Sequence, residues 1–189
     1  MKQNDNHIIA AAAAELLLKQ PRRSLKIDPR TLIYHERIVF DTMANYCRLT
    51  NQVRSELVLA ASPDGMMVHA GECYIILYNE SAPPSRRAFT LAHEVGHIYL
   101  CHKNDLPESE RQANLFAAHL LLPRVLLWEY LRRYPVDHAV VAKLFGVSVQ
   151  VATVQIEALK TQPLFLEAEK KLLELSHILL PNQNEPVFE

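Results

Sequence analysis

One pattern in the middle of the chain constrains the fold more than any other feature. His93, Glu94 and His97 form an HExxH pattern within residues 85–102, a proline-free segment that follows two consecutive prolines. Residues four apart lie about 40° apart around a helix of 3.6 residues per turn, so both imidazoles can bind one metal ion. A chain with nine histidines would contain this pattern by chance roughly 0.03 times. The pattern therefore predicts a helix that carries a metal site.

The same helix is apolar on almost every side, with residues such as Phe89, Leu91, Val95 and Ile98. A helix that is apolar all round is buried, and buried histidines need polar partners. Gly96 costs about 1 kcal/mol relative to alanine inside a helix. We expect close approach by the backbone of a neighbouring element to explain this glycine.

The histidine pair suits zinc, because neutral imidazole is a common ligand of that ion. Glu94 lies about 100° further round the helix, where it can reach a water on the metal and act as a general base. A metzincin would need glycine at position 100 and histidine at position 103, but this chain has Leu100 and Lys103, so that class is excluded. His102 projects about 140° from His97, and we expect it to cap the helix.

A third protein ligand should come from the next predicted helix, residues 107–122, because catalytic zinc usually has three. Glu108 and Glu110 are the two candidates. Glu108 could instead form a capping box with Asp105. Asn114 lies one turn after Glu110 on the same helix face, where it could hydrogen-bond a ligand histidine.

In the rest of the chain, the sequence predicts helices before and after a small sheet. Short apolar runs separated by turn residues predict a three-stranded antiparallel meander before the metal helix. A glycine turn between two short helices near the C-terminus resembles a helix-turn-helix. The predicted strands are 57–61, 66–69 and 73–78, and the predicted helical segments are 7–19, 28–49, 136–145, 148–159 and 164–180.

Two sequence segments together resemble the ImmA/IrrE family of metallopeptidases. They are FTLAHEVGH, from residue 89, and ERQANLFAAHLLLP, from residue 110. The resemblance implies an α+β fold in which a minimal zincin-like domain, with helices and a small antiparallel sheet, precedes a helix-turn-helix-like region. It also implies that His93, His97 and Glu110 bind Zn²⁺ and that Glu94 is the catalytic base. Members of this family typically cleave DNA-binding repressors encoded beside them, often on prophages or mobile elements.

This organisation predicts a metallopeptidase domain over 1–135, a helical C-terminal region over 136–180 and a flexible tail over 181–189. Residues 136–189 hold four lysines and seven acidic residues, a net charge of −3. DNA binding needs several cations, so we expect no direct contact with nucleic acid. Three widely spaced cysteines predict a reducing cytoplasm, and no apolar stretch is long enough to predict a membrane span.

The leading functional hypothesis is a zinc-dependent endopeptidase that cleaves a helix-turn-helix repressor and so relieves transcriptional repression. The alternative is a non-catalytic zinc-containing regulatory module that binds a repressor or DNA. Glu94 favours the enzyme, because a purely structural metal site has no use for an acid placed over the metal.

Overall fold

The computed structural model describes residues 2–21, 24–51, 63–104, 106–161 and 165–180 of the chain. Within these ranges the fold is α+β, with a three-stranded sheet followed by helices. A short 3₁₀ turn over Pro29–Thr31 precedes the sheet. The helices are α1 (Lys2–Leu18), α2 (Met43–Thr50), α3 (Pro84–Tyr99), α4 (Pro107–Leu121), α5 (Arg124–Arg133), α6 (His138–Phe145), α7 (Val149–Leu159), α8 (Glu167–Glu174) and α9 (Ser176–Leu179), and the strands are β1 (Arg37–Thr42), β2 (Gly65–Ala70) and β3 (Cys73–Tyr78).

The sheet is mixed, with the strand order β1-β3-β2. Strands β2 and β3 form an antiparallel hairpin in which Gly65 pairs with Tyr78, and Gly71 turns the chain with a left-handed φ of 63°. Strand β1 runs parallel to β3. The predicted hairpin is confirmed, whereas the expectation of a purely antiparallel sheet is wrong. The strand predicted over 57–61 lies outside the described residues.

Strand β1 occupies part of the helix that the sequence predicts over 28–49. Ile38 and Phe40 are partly buried, whereas Val39 between them is 45% exposed. This alternation has the two-residue period of a strand. Helix α2 begins only after Thr42, whose side chain accepts a hydrogen bond from a backbone N–H of the first turn. The prediction was wrong because it merged a strand with the helix that follows it.

Helix α3 lies between the sheet and α4. On one side, a Cβ atom added to Gly65 would clash with the Cγ2 atom of Thr90. On the other side, a Cβ atom added to Gly96 would lie 3.2 Å from the carbonyl oxygen of Ala113 and from Phe116. The close approach predicted for Gly96 is confirmed. The predicted metal-site helix is therefore held by close packing on two sides.

Helices α6 and α7 form the predicted hairpin. Gly146 ends α6 with a left-handed φ of 73°, and the side chains of Asp137 and Ser148 cap the N-termini of α6 and α7. Phe145 and Ile156 are buried in the same apolar core as α3 and α4. No single helix in the described ranges is long and apolar enough to span a bilayer. Helices α6 and α7 together have the length and apolar composition of a membrane span, but the pair is bent by 111°.

A buried polar cluster joins the first helix to the C-terminal helices. Arg124 makes two hydrogen bonds to Glu169, at 2.6 and 2.7 Å, and a third to His7 at 2.9 Å. His119 on α4 lies 2.7 Å from the side-chain oxygen of Asn6. Burial, together with the positive charge of Arg124 and the neighbouring His7, lowers the pKa of His119 to about 3. His119 is therefore a neutral structural group of the core.

Candidate metal centre

A tight turn brings α3 and α4 together as an antiparallel pair. Helix α3 ends at Tyr99, and Cys101 adopts a left-handed φ of 55°. The backbone N–H of His102 then donates to the carbonyl of His97 at 3.0 Å, a bond typical of a helix C-terminus that reverses direction. Because of this reversal, the first half of α4 lies beside the second half of α3.

Three candidate ligands converge between the two helices. His93 and His97 come from α3, and Glu110 comes from α4. The two Nε2 atoms lie 3.0 Å apart, and the Glu110 oxygens lie 3.4 Å from Nε2 of His93 and 3.3 Å from Nε2 of His97. Tetrahedral zinc with bonds of about 2.0–2.1 Å needs ligand atoms roughly 3.3–3.4 Å apart. The donor set and its spacing therefore fit a zinc ion.

The hydrogen bond of His93 determines which ring nitrogen carries the proton and which has a lone pair available to a metal. Nδ1 of His93 lies 3.0 Å from the side-chain oxygen of Asn114. An amide oxygen only accepts hydrogen bonds, so Nδ1 carries the proton and Nε2 is left bare. Burial lowers the pKa of His93 despite the nearby Glu110 carboxylate. A neutral ring with a bare Nε2 is the form that binds a metal.

A longer chain of hydrogen bonds orients His97 in the same way. Nε2 of His102 lies 3.0 Å from the side-chain oxygen of Gln112, so in the neutral ring this nitrogen carries the proton. Nδ1 of His102 is then bare and accepts from Nδ1 of His97, which lies 3.2 Å away. Nε2 of His97 is consequently unprotonated, and its lone pair lies next to Nε2 of His93. Two lone pairs and a carboxylate at such short distances repel one another unless a metal ion or a proton lies between them.

The chain continues to the first turn of α4. The amide nitrogen of Gln112 donates to Glu108 at 3.1 Å, and Arg111 also donates to the Glu108 carboxylate at 2.9 Å. Helix α4 begins after Leu106 without a side-chain cap, and Asp105 lies outside the described residues. The capping box expected between Asp105 and Glu108 therefore stays a prediction, and among the described contacts the Glu108 carboxylate accepts hydrogen bonds from Gln112 and Arg111.

The remaining predicted residue, Glu94, follows His93 on α3 and is partly buried. The side chain of His97 is only 7% exposed, whereas that of Glu110 is 43% exposed. The candidate site is thus closed around its histidines and open to solvent beside its carboxylate. Such an opening leaves room for a water molecule and a substrate next to the three candidate ligands.

His102 and Gln112 are the residues of the candidate site that reasoning from sequence missed. Helical projection placed His102 on a different side of the helix from His97 and made it a capping residue. The backbone N–H of His102 does close the helix, but its ring turns back to His97 because Cys101 leaves the helical path. No sequence signal marked this turn, since a non-glycine residue with a positive φ is uncommon.

Comparison with known proteins gives two further findings. The family model Peptidase_M78, described as the IrrE N-terminal-like domain, matches residues 52–157 of this chain, which include every candidate site residue. The Radiation response metalloprotease IrrE of Deinococcus radiodurans is 38% identical over a region that covers 32% of this chain. The match covers only 23% of that relative's length.

Proposed function

Because this chain belongs to the Peptidase_M78 family of IrrE N-terminal-like domains, we propose that it is a zinc-dependent endopeptidase. The observation that carries the proposal is the convergence of His93, His97 and Glu110, whose ligand atoms lie 3.0–3.4 Å apart, close to the spacing that tetrahedral zinc requires. These three residues hold the ion in this proposal. Asn114 and His102 orient the two imidazoles from behind.

A zinc ion held there would polarise the scissile carbonyl and make a bound water more acidic. Glu94 accepts the proton of the attacking water on its carboxylate and then delivers it to the nitrogen of the leaving amine. Strand β2 lies at the edge of the sheet among the described residues and contacts α3. Its backbone groups offer an extended substrate the hydrogen bonds of an added strand.

The proposed substrate is a helix-turn-helix repressor, whose cleavage relieves transcriptional repression. This substrate class rests on the family resemblance and not on a contact in the structure. The chain itself does not bind DNA in this proposal. Lys143 and Lys160 are the only lysine or arginine residues between positions 136 and 161, and Lys160 is paired with Glu157 at 2.7 Å. Specific gel-shift of the operon's upstream region by the purified chain would contradict this part.

The variant Glu94→Gln tests the catalytic role. We expect it to retain about one zinc per chain, since Glu94 is not among the proposed ligands, and to lose cleavage, since an amide cannot accept the proton. Zinc content and cleavage of a helix-turn-helix regulator encoded beside the gene, co-expressed with each protein, are measured on the same samples. A fully active Glu94→Gln protein would show that the mechanism is wrong. Digestion of casein without effect on the regulator would refute the substrate class.

A further inference from the structure

A cavity of about 230 Å³ lies beside the first two turns of α3. Four parts of the chain line it: the segment 26–30, the last residue of β3, the start of α3 and the turn between α6 and α7. None of the three candidate metal ligands lines this cavity. The cavity is therefore separate from the candidate metal centre.

Part of the cavity wall is apolar. Leu91 and Phe145 line it, although these two residues are only 2% and 1% exposed. Ala88 lies three positions before Leu91, on the same face of α3, and lines the cavity as well. Binding sites for small molecules typically combine an apolar wall with a few polar groups. A ligand that fills this part of the cavity therefore needs an apolar group.

The rest of the described lining carries an excess of positive charge. Three cations, Lys26, Arg30 and Arg87, stand against one carboxylate, that of Asp28. Arg30 already holds this carboxylate with two hydrogen bonds, at 3.0 and 2.6 Å. Arg87 donates to the backbone carbonyl of Glu80 at 2.8 Å, and neither Arg87 nor Lys26 forms an ion pair with a described residue. Two positive charges are therefore available to a ligand.

Tyr78 adds a neutral hydrogen-bond donor to the same cavity. Its hydroxyl oxygen accepts from Nη1 of Arg30 at 3.2 Å. The hydroxyl hydrogen has no acceptor in the part of the chain that the structure describes, so the group can donate to a ligand. Lys26, Tyr78 and Arg87 thus offer donors from three separate segments. Hydrogen bonds from charged donors to an anion are about twice as strong as those between neutral groups.

We propose that this cavity binds a small phosphate monoester whose organic group is compact and apolar. Such a phosphate carries a charge of about −1.5 to −2 at pH 7, which matches the two available cations. Its oxygens accept from Lys26, Tyr78 and Arg87, and a guanidinium suits the geometry of phosphate. The organic group then lies against Leu91 and Phe145. The inference does not depend on the proposed peptidase function.

The experiment titrates phenyl phosphate into the ¹⁵N-labelled, zinc-loaded full chain and follows the backbone amide chemical shifts. We expect saturable shifts at Ala88 and Gly146, which line the cavity, and smaller ones at His93 and His97. Phenyl sulfate has the same shape with a single charge, and inorganic phosphate lacks the apolar group. Each should bind at least about fivefold more weakly than phenyl phosphate.

Variants of the two available cations test the position of the anion. Arg87→Gln and Lys26→Gln should each weaken phenyl phosphate at least about fivefold, because each removes one charge. Lys26 is exposed, so Lys26→Gln should fold even if Arg87→Gln does not. The matched control is Arg86→Gln. Arg86 is the neighbour of Arg87 on α3, but it pairs with Asp64 at 2.7 Å and does not line the cavity, so this variant should bind as the wild-type protein does.

Three results would overturn the inference. Equal binding by Lys26→Gln and Arg86→Gln, or shifts centred on His93 and His97, would place the anion elsewhere, for example on the zinc ion. Phenyl sulfate that binds as tightly as phenyl phosphate would show that the cavity does not select a doubly charged group. Absence of saturable binding by phenyl phosphate would show that the cavity is not a site for this class of ligand.

Discussion

Replacing His102 with alanine should weaken zinc binding without unfolding the protein. The ring of His102 contacts Nδ1 of His97 at 3.2 Å and Gln112 at 3.0 Å. Without it, the ring of His97 can rotate, and its proton can move to Nε2, where it blocks the metal. Groups that orient a ligand histidine typically contribute about 10- to 100-fold in metal affinity. The expected loss is therefore about 1.4–2.7 kcal/mol of zinc-binding free energy.

The assay is competition for zinc against a chelator of known affinity, carried out on the wild-type protein and its variants. His102→Gln should recover most of the affinity, because its amide oxygen can accept from His97 and its amide nitrogen can donate to Gln112. Lys103→Ala, one residue further on and exposed, is the matched control and should bind zinc normally.

A second measurement separates orientation from general destabilisation. The ¹⁵N chemical shifts of His97 in the metal-free protein should show the Nδ1–H form in the wild type and a mixture of both neutral forms in His102→Ala. Wild-type zinc affinity in His102→Ala, or an equal loss in Lys103→Ala, would refute the orientation of His97 by this hydrogen-bond chain.

Three further predictions concern the ligands and the buried cluster. Glu110→Ala should fail to retain zinc in equilibrium dialysis. Glu108→Ala, which changes the outer end of the hydrogen-bond chain to His97, should lower zinc affinity by less than about tenfold. A larger loss in Glu108→Ala than in Glu110→Ala would contradict the ligand assignment. Glu169→Gln should lower the free energy of unfolding in urea by about 3–5 kcal/mol, because Arg124 keeps a buried charge without its counterion, while exposed Glu174→Gln should change it by less than about 0.5 kcal/mol. His119 has a folded-state pKa of about 3, below its unfolded value, so the unfolded chain binds the extra proton on acidification. The contribution of His119 to the free energy of unfolding should fall by about 2 kcal/mol from pH 7 to pH 5. Urea titrations in the presence of a chelator should therefore find a smaller fall in this free energy for His119→Gln than for the wild-type protein.

The sequence by itself predicted those features that depend on residues close together along the chain. The helical period alone puts His93 and His97 on one face of α3, and Pro83 and Pro84 predict where that helix begins. Phe145, Gly146 and Ser148 likewise predict the α6–α7 turn through local backbone preferences and capping. The exception is β1, where residues that alternate between partly buried and exposed positions lead directly into a helix.

Only the tertiary structure decided which residues meet across elements. Reasoning from the residues alone left both Glu108 and Glu110 as candidates, and the family resemblance selected Glu110. In the structure, the register of α4 against α3 brings Glu110 to the two histidines. That register depends on the close approach of Gly96 to Ala113 and on the turn that begins at Cys101 and His102. The pairing of His102 with His97 and the parallel pairing of β1 with β3 have the same origin. Each results from packing between segments distant in sequence, where a shift of one residue in register changes which side chains face each other.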